Sequence, residues 1–113
     1  MIELGLVGKR ALVAGAGQGI GRACALALSE AGAQVACVDN DADRAAAVSA
    51  EVGGLALVAD ARDRSDVEAS VARAVEEFGG LDVCVDIIGE ARWARVLDAT
   101  DEDWDTSFDL VLR

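Results

Sequence analysis

Leu12-Val13-Ala14-Gly15-Ala16-Gly17-Gln18-Gly19-Ile20-Gly21-Arg22-Ala23-Cys24 is the stretch whose reading decides the fold. A short apolar strand runs into a glycine-rich turn, and the turn opens an amphipathic helix. The first N–H groups of such a helix have no partner within it, and they lie at the positive end of the helix dipole. Together they make a place for a phosphate group. Gly15 lets the chain turn sharply, Gly19 lets the backbone approach a ligand, and Gly21 lets the helix pack closely on the sheet. The Gly15-x-x-x-Gly19-x-Gly21 pattern gains weight from its position between a strand pattern and a helix pattern.

Outward from this stretch the chain alternates strand and helix. Residues 1–8 are a lead-in, with Leu4, Leu6 and Val7 available for packing. A first strand over 9–14 is a continuous apolar run, as expected for a parallel strand covered on both faces. A helix over 19–31 would bury Ile20, Cys24, Ala27, Leu28 and Ala31, and Gly32 stands where a helix end favours a left-handed residue. A strand over 34–39 ends on Asp39, and Asn40 or Asp41 can cap a helix over 42–51 that Gly53-Gly54 ends. A strand over 55–59 is closed by Asp60. Ser65 and Glu68 have capping-box spacing for a helix over 65–78, with Val67, Val71, Val75 and Phe78 as its apolar stripe. Gly79-Gly80 follows, then a strand over 81–88 and Gly89. A loop over 90–99 holds Arg92, Trp93 and Arg95; Thr100 and Asp103 then cap a last helix bearing Trp104, Phe108 and Val111. This alternation with short connections predicts an α/β fold with a parallel sheet between helices on both faces. Right-handed crossovers make 3-2-1-4 the natural strand order.

The chain has 113 residues, 53% of them hydrophobic, which is enough for one domain with one modest core. Its formal charge is −11, which argues against nucleic acid and anionic membranes as partners. It does not argue against a phosphate ligand held by backbone N–H groups. Cys24, Cys37 and Cys84 are odd in number, lack metal-ligand spacing and lie in apolar runs. They are expected to be buried, reduced thiols of a cytoplasmic protein, with no metal site. No signal peptide or membrane span is read in the chain. Histidine and tyrosine are absent, and Lys9 is the only lysine, so neither a histidine base nor a tyrosine proton donor lies on this chain.

Asp39 ends the second strand, 18 residues after Gly21. In a dinucleotide-binding half, a carboxylate here accepts hydrogen bonds from the adenosine ribose hydroxyls. The other reading is a capping or turn aspartate, a task Asn40 or Asp41 could perform instead. A carboxylate at this point repels a 2′-phosphate. No arginine or lysine lies beside it or within the glycine loop before Arg22, so NAD is favoured over NADP. Arg44, on the following helix, is the one residue that could soften this preference.

With these residues in place, the chain resembles the N-terminal part of a short-chain dehydrogenase/reductase. The family carries Thr-Gly-x-x-x-Gly-Ile-Gly, and Ala14 to Gly21 match it except at the threonine. The family places an aspartate and a small residue after the third strand, against the adenine, and Asp60-Ala61 match. After the fourth strand it usually carries Asn-Asn-Ala-Gly, where this chain has Asp86-Ile87-Ile88-Gly89. The glycine is kept and both asparagines are lost, and Asp86 is expected to act structurally rather than in catalysis. Thr100-x-x-x-Trp104 resembles the family as well, but Val111 stands where relatives usually have a proton-relay asparagine. Trp93 and Trp104 read as packing residues, and Arg92 and Arg95 as solvated.

The resemblance implies a Rossmann-like αβα domain over residues 1–113, truncated after the fourth strand and its following helix. It implies dinucleotide contacts at Gly15, Gln18, Gly19, Ile20 and Gly21, at Asp39, at Asp60 and Ala61, and at Asp86, Ile88 and Gly89. The implied activity is NAD(P)-dependent oxidoreduction, with hydride moved between the nicotinamide and an alcohol or carbonyl substrate. The family's catalytic serine, tyrosine and lysine lie in a second half with no counterpart here, so the chain alone is expected to be inactive. The alternatives are a non-catalytic NAD-binding module or a fragment, and, more remotely, a methyltransferase using S-adenosylmethionine. An uncovered fourth strand and last helix lead to the expectation of a homo-oligomer.

Overall fold

The computed structural model describes residues 4–89 and 94–111. The expectations for Arg92 and Trp93 fall outside the described residues, as does that for the side chain of Val111. The elements run β1 (Arg10–Ala14), α1 (Gly19–Glu30), β2 (Gln34–Asp39), α2 (Ala42–Val52), β3 (Leu55–Val58), α3 (Arg64–Phe78) and β4 (Val83–Asp86), then a 3-10 turn (Val96–Asp98) and α4 (Asp101–Val111). The four strands form one parallel sheet in the order β3-β2-β1-β4, as the alternation requires.

Strand side chains alternate between two faces, so each face of the sheet has its own core. On one face Val13, Val35 and Cys37 pack with Ala16, Ala25 of α1 and Val48 of α2. On the other, Leu12, Ala36 and Val38 pack with Ala59 and Ala74 of α3. The alanines matter, because a small residue on each helix lets its axis come close to a valine-rich sheet.

Helix ends follow local chemistry. Asp41 caps α2 by accepting from the Arg44 N–H, and Gly53 closes it in the left-handed region at φ +63°. Asp63 caps α3 by accepting from Ser65 and Asp66 N–H groups. The expected Ser65 cap is therefore displaced by two residues, and α3 begins at Arg64. At α4 the Thr100 N–H donates to Asp103 and the Asp103 N–H donates to the Thr100 hydroxyl, a reciprocal box.

Several buried faces differ from the expectation. Ile20 is 71% exposed, because it sits in the first turn of α1, and Gly21 and Ala25 are the residues of α1 buried fully. On α3 the seam is Ser70, Ala74 and Phe78, with Val67, Val71 and Val75 left about two-fifths exposed beside it. The larger valines cannot enter where the helix comes closest to the strands. Leu4 and Val7 of the lead-in are exposed. Cys37 is fully buried as expected, but Cys24 is half-buried and Cys84 is exposed on the edge strand β4. Trp104 and Phe108 are exposed on α4 and stack on each other with centroids 5.9 Å apart. Among the described residues no helix is long and apolar enough to cross a membrane.

Candidate cofactor site

The C-terminal ends of β1, β2, β3 and β4 meet around a cavity of about 490 Å³. In an open parallel sheet this edge, where neighbouring crossovers leave to opposite faces, is where ligands bind. Seven of the expected residues line it: Gly15, Gln18, Asp39, Asp60, Ala61, Ile88 and Gly89. Gly19, Ile20, Gly21 and Asp86 do not.

The glycine loop is fixed by backbone. The N–H groups of Gly15 and Ala16 both donate to the Val38 carbonyl, at 2.8 and 3.0 Å, which ties the loop to the end of β2. Gly15 has φ +82° and Gly19 φ +57°, a region that favours glycine. A Cβ at Gly21 would collide with the Gly15 carbonyl, so α1 could not start where it does. A Cβ at Gly19 would meet nothing within 4 Å. The N-terminus of α1 has no side-chain cap at Gln18 and no acidic residue in its first turn, whereas aspartates cap α2 and α3. The start of α1 thus keeps its N–H donors for an anion, and the chain's donor set fits a pyrophosphate.

Asp39 is 5% exposed and its carboxylate is well supplied with donors. Oδ2 accepts from the Gly17 N–H at 2.9 Å. Oδ1 accepts from the Asp41 N–H at 3.0 Å and from Arg44 Nε and Nη2 at 3.2 and 3.1 Å. Burial pushes the Asp39 carboxyl up, but the Asp41 and Gly17 N–H groups and the Arg44 guanidinium outweigh it and hold the group below the usual carboxylate value. Arg44 continues to Gln18 Oε1 at 3.3 Å and Asn40 Oδ1 at 3.2 Å, so one guanidinium joins the glycine loop to the end of β2.

This corrects the expected bias against NADP. That bias found no basic residue beside Asp39 or in the glycine loop and left Arg44 only a softening part. The helix turn that starts α2 brings Arg44 back onto it, and the pair presents a neutralised wall.

Asp60 forms a second pair. Its carboxylate accepts from the Arg62 N–H at 2.9 Å and from the Arg62 guanidinium at 3.1 Å, and these bonds hold its pKa below the usual value. The Asp60 N–H donates to Asp66 of α3, which fixes the chain as it leaves β3. Asp86 accepts from the Ile88 N–H at 3.0 Å, shaping the exit from β4. It is exposed and off the cavity wall. Ile87 and Ile88, standing where asparagine and alanine were expected from the resemblance, put apolar side chains against Gly15 and Gly21.

Sequence reasoning passed over Gly17 and Arg62 and gave Arg44 a minor place. Gly17 carried a signal, as an extra glycine inside the motif. The two arginines carried little, because each reaches the site by folding back from a turn.

The chain is similar to known proteins over most of its length. A family model described as enoyl-(acyl carrier protein) reductase matches residues 15–113. D-threitol dehydrogenase of Mycolicibacterium smegmatis is 38% identical over 112 residues, covering 95% of this chain and 43% of the relative. L-xylulose reductase of Mus musculus is 40% identical over 112 residues, covering 99% and 45%. A dehydrogenase/reductase from Sinorhizobium meliloti superposes with a TM-score of 0.86 at 36% identity, over 92% of this chain and 44% of that one. A short chain dehydrogenase from Burkholderia cenocepacia, solved in complex with NADP, gives 0.85 at 40% identity, over 93% and 45%. The chain spans less than half the length of these relatives.

Proposed function

The chain belongs to the short-chain dehydrogenase/reductase family, and from that premise we propose that it supplies the dinucleotide-binding part of an NAD(P)-dependent oxidoreductase. The observation that carries this reading is the convergence of Gly15 and Gln18, which lead into the uncapped start of α1, with Asp39 and Asp60 on one cavity. From outside its wall the Gly19–Gly21 N–H groups face the pyrophosphate, while in it Asp39 accepts from the adenosine ribose and Asp60-Ala61 border the adenine. Ile88 and Gly89 form the wall from β4. Ile20 and Asp86 act from outside the cavity, Asp86 by holding the Ile88 backbone. The cofactor, when bound, supplies or accepts hydride, and the substrate class is an alcohol or carbonyl compound.

Residues 1–113 form one partial dinucleotide-binding domain in this proposal. The chain has no histidine or tyrosine to move the accompanying proton, so its own task is to bind and orient the cofactor. NAD is accommodated through the ribose-accepting carboxylate of Asp39. Assembly into a homo-oligomer and a cytoplasmic location complete the proposal. Calorimetric titration with NAD and NADP tests it. Saturable binding to one site supports the reading, and no heat at millimolar concentrations of either dinucleotide removes it.

A further inference from the structure

We propose that α4 of one chain packs on α3 of a second copy, and α4 of that copy on α3 of the first, so that two chains form a dimer by exchanging helices. This deepens the homo-oligomer reading above and rests on it.

Two apolar stripes lack a cover. On α3, Val67, Val71 and Val75 lie beside the buried seam and stay two-fifths exposed. On α4, Trp104 and Phe108 are exposed and touch each other. Among the described residues, α4 packs on no strand and on no other helix. A helix of 11 residues is marginal in water without such packing.

The stripes match in spacing and in charge. Arg64, Val67 and Val71 stand at i, i+3 and i+7, and so do Asp101, Trp104 and Phe108. Residues so spaced share one helix face. Arg64 and Asp101 are exposed, each one turn before its stripe, and among the described residues neither is in an ion pair. Laid parallel, the two helices bring Arg64 to Asp101, Val67 to Trp104 and Val71 to Phe108. Laid antiparallel, Asp101 falls near Val75 and loses Arg64. An exposed ion pair contributes little energy, but it selects the orientation.

The same charges select the partner. α4 carries five acidic residues and no basic one, so a second α4 would set acid against acid. The α3 stripe offers a cation in line with its valines. Two copies about a two-fold axis satisfy both stripes of both chains at once. The two contacts together bury on the order of 1,000 Å², the lower end for a specific interface, so the dimer is reversible.

Sedimentation velocity of the full chain over a range of concentrations is expected to show monomer and dimer, with circular dichroism to compare folding among variants. Phe108→Ala should weaken the dimer by at least about tenfold, because the ring is lost from two contacts. Arg64→Glu and Asp101→Arg should each weaken it about threefold, and the double variant should recover most of that loss. A double variant weaker than either single one overturns the proposal. Should these variants not fold, Val71→Cys and Phe108→Cys chains, mixed and oxidised, give an independent reading. Peptide mass mapping should find a disulfide joining position 71 of one chain to position 108 of the other. A dimer linked only from 108 to 108 overturns the exchange and leaves the homo-oligomer reading standing. A monomer at every concentration overturns both.

Discussion

The Gly17 N–H donates to Asp39 Oδ2 at 2.9 Å, and a Cβ added at Gly17 would stand 2.5 Å from that same oxygen. It would also stand 2.5 Å from Arg44 Cβ. The position therefore supports the Asp39–Arg44 pair through its backbone and has no room for a side chain. Gly17→Ala is expected to cost about 1–3 kcal/mol of stability through overpacking. It should also lower dinucleotide affinity more than Ala16 substitutions that leave the loop's backbone bonds intact. Urea unfolding and calorimetric titration of the same variant measure the two effects.

Gly19 and Gly21 should separate into two kinds of loss. A Cβ at Gly19 meets open space, but its φ of +57° makes Gly19→Ala cost about 1–2 kcal/mol. A Cβ at Gly21 runs into the Gly15 carbonyl, which is backbone and cannot swing aside. Gly21→Ala should therefore cost about 3 kcal/mol or more, as severe overpacking does. Thermal unfolding should rank wild type above Gly19→Ala and Gly19→Ala above Gly21→Ala. The reverse order would remove the close-packing role of Gly21.

The Arg10–Asp82 pair gives a pH signature far from the cavity. The backbone N–H and Nε of Arg10 both donate to Asp82 at 2.9 Å, and Nη2 donates at 3.1 Å. These bonds draw the Asp82 carboxyl down to about 2 from 3.8. A carboxyl with a depressed folded pKa contributes stability above its unfolded value and loses it as pH falls through the folded one. Asp82→Asn should thus be less stable than wild type at pH 6. The gap should close between about pH 4 and pH 2. A gap that persists unchanged at pH 2 would show that the charge of Asp82 contributes nothing.

The thiols should differ in reactivity. Cys37 is fully buried, and burial pushes its pKa up to about 11. Cys84 is exposed. Since the thiolate is the nucleophile, alkylation of the native chain at pH 8 should label Cys84 rapidly and Cys37 only after unfolding. Mass mapping of the labelled peptides decides it, and early label on Cys37 would contradict the burial.

The strand order was legible because apolar runs, glycine stops and acidic caps recur in step along the chain. The motif glycines were legible because the turn from Ala14 into Gly19 needs glycine wherever it occurs. Burial on the helices was less so. Periodicity marked Val67, Val71 and Val75 as the face of α3, but the seam follows Ser70 and Ala74, whose small size hydropathy does not reward. The site's electrostatics were the least legible part. Asp39 could be read from its place after β2, but Arg44 lies five residues further on, and only the turn between them brings the charges together.

β4 pairs with β1 in a register that sets Ala11 against Val83, while β2 sets Gln34 against Arg10. The first closure spans 72 residues and the second 24. Loop entropy makes the longer one dearer by about 1 kcal/mol. Among the described residues β4, like β3, has a neighbour on one side only. In kinetic terms the glycine loop and Asp39 can be assembled by the first half of the chain, and on loop length alone the Ile87–Ile88 wall is expected to arrive later. Amide exchange should run faster at Ile88 than at Val13. A dinucleotide held between them would then act as a latch, slowing exchange along β4 most of all.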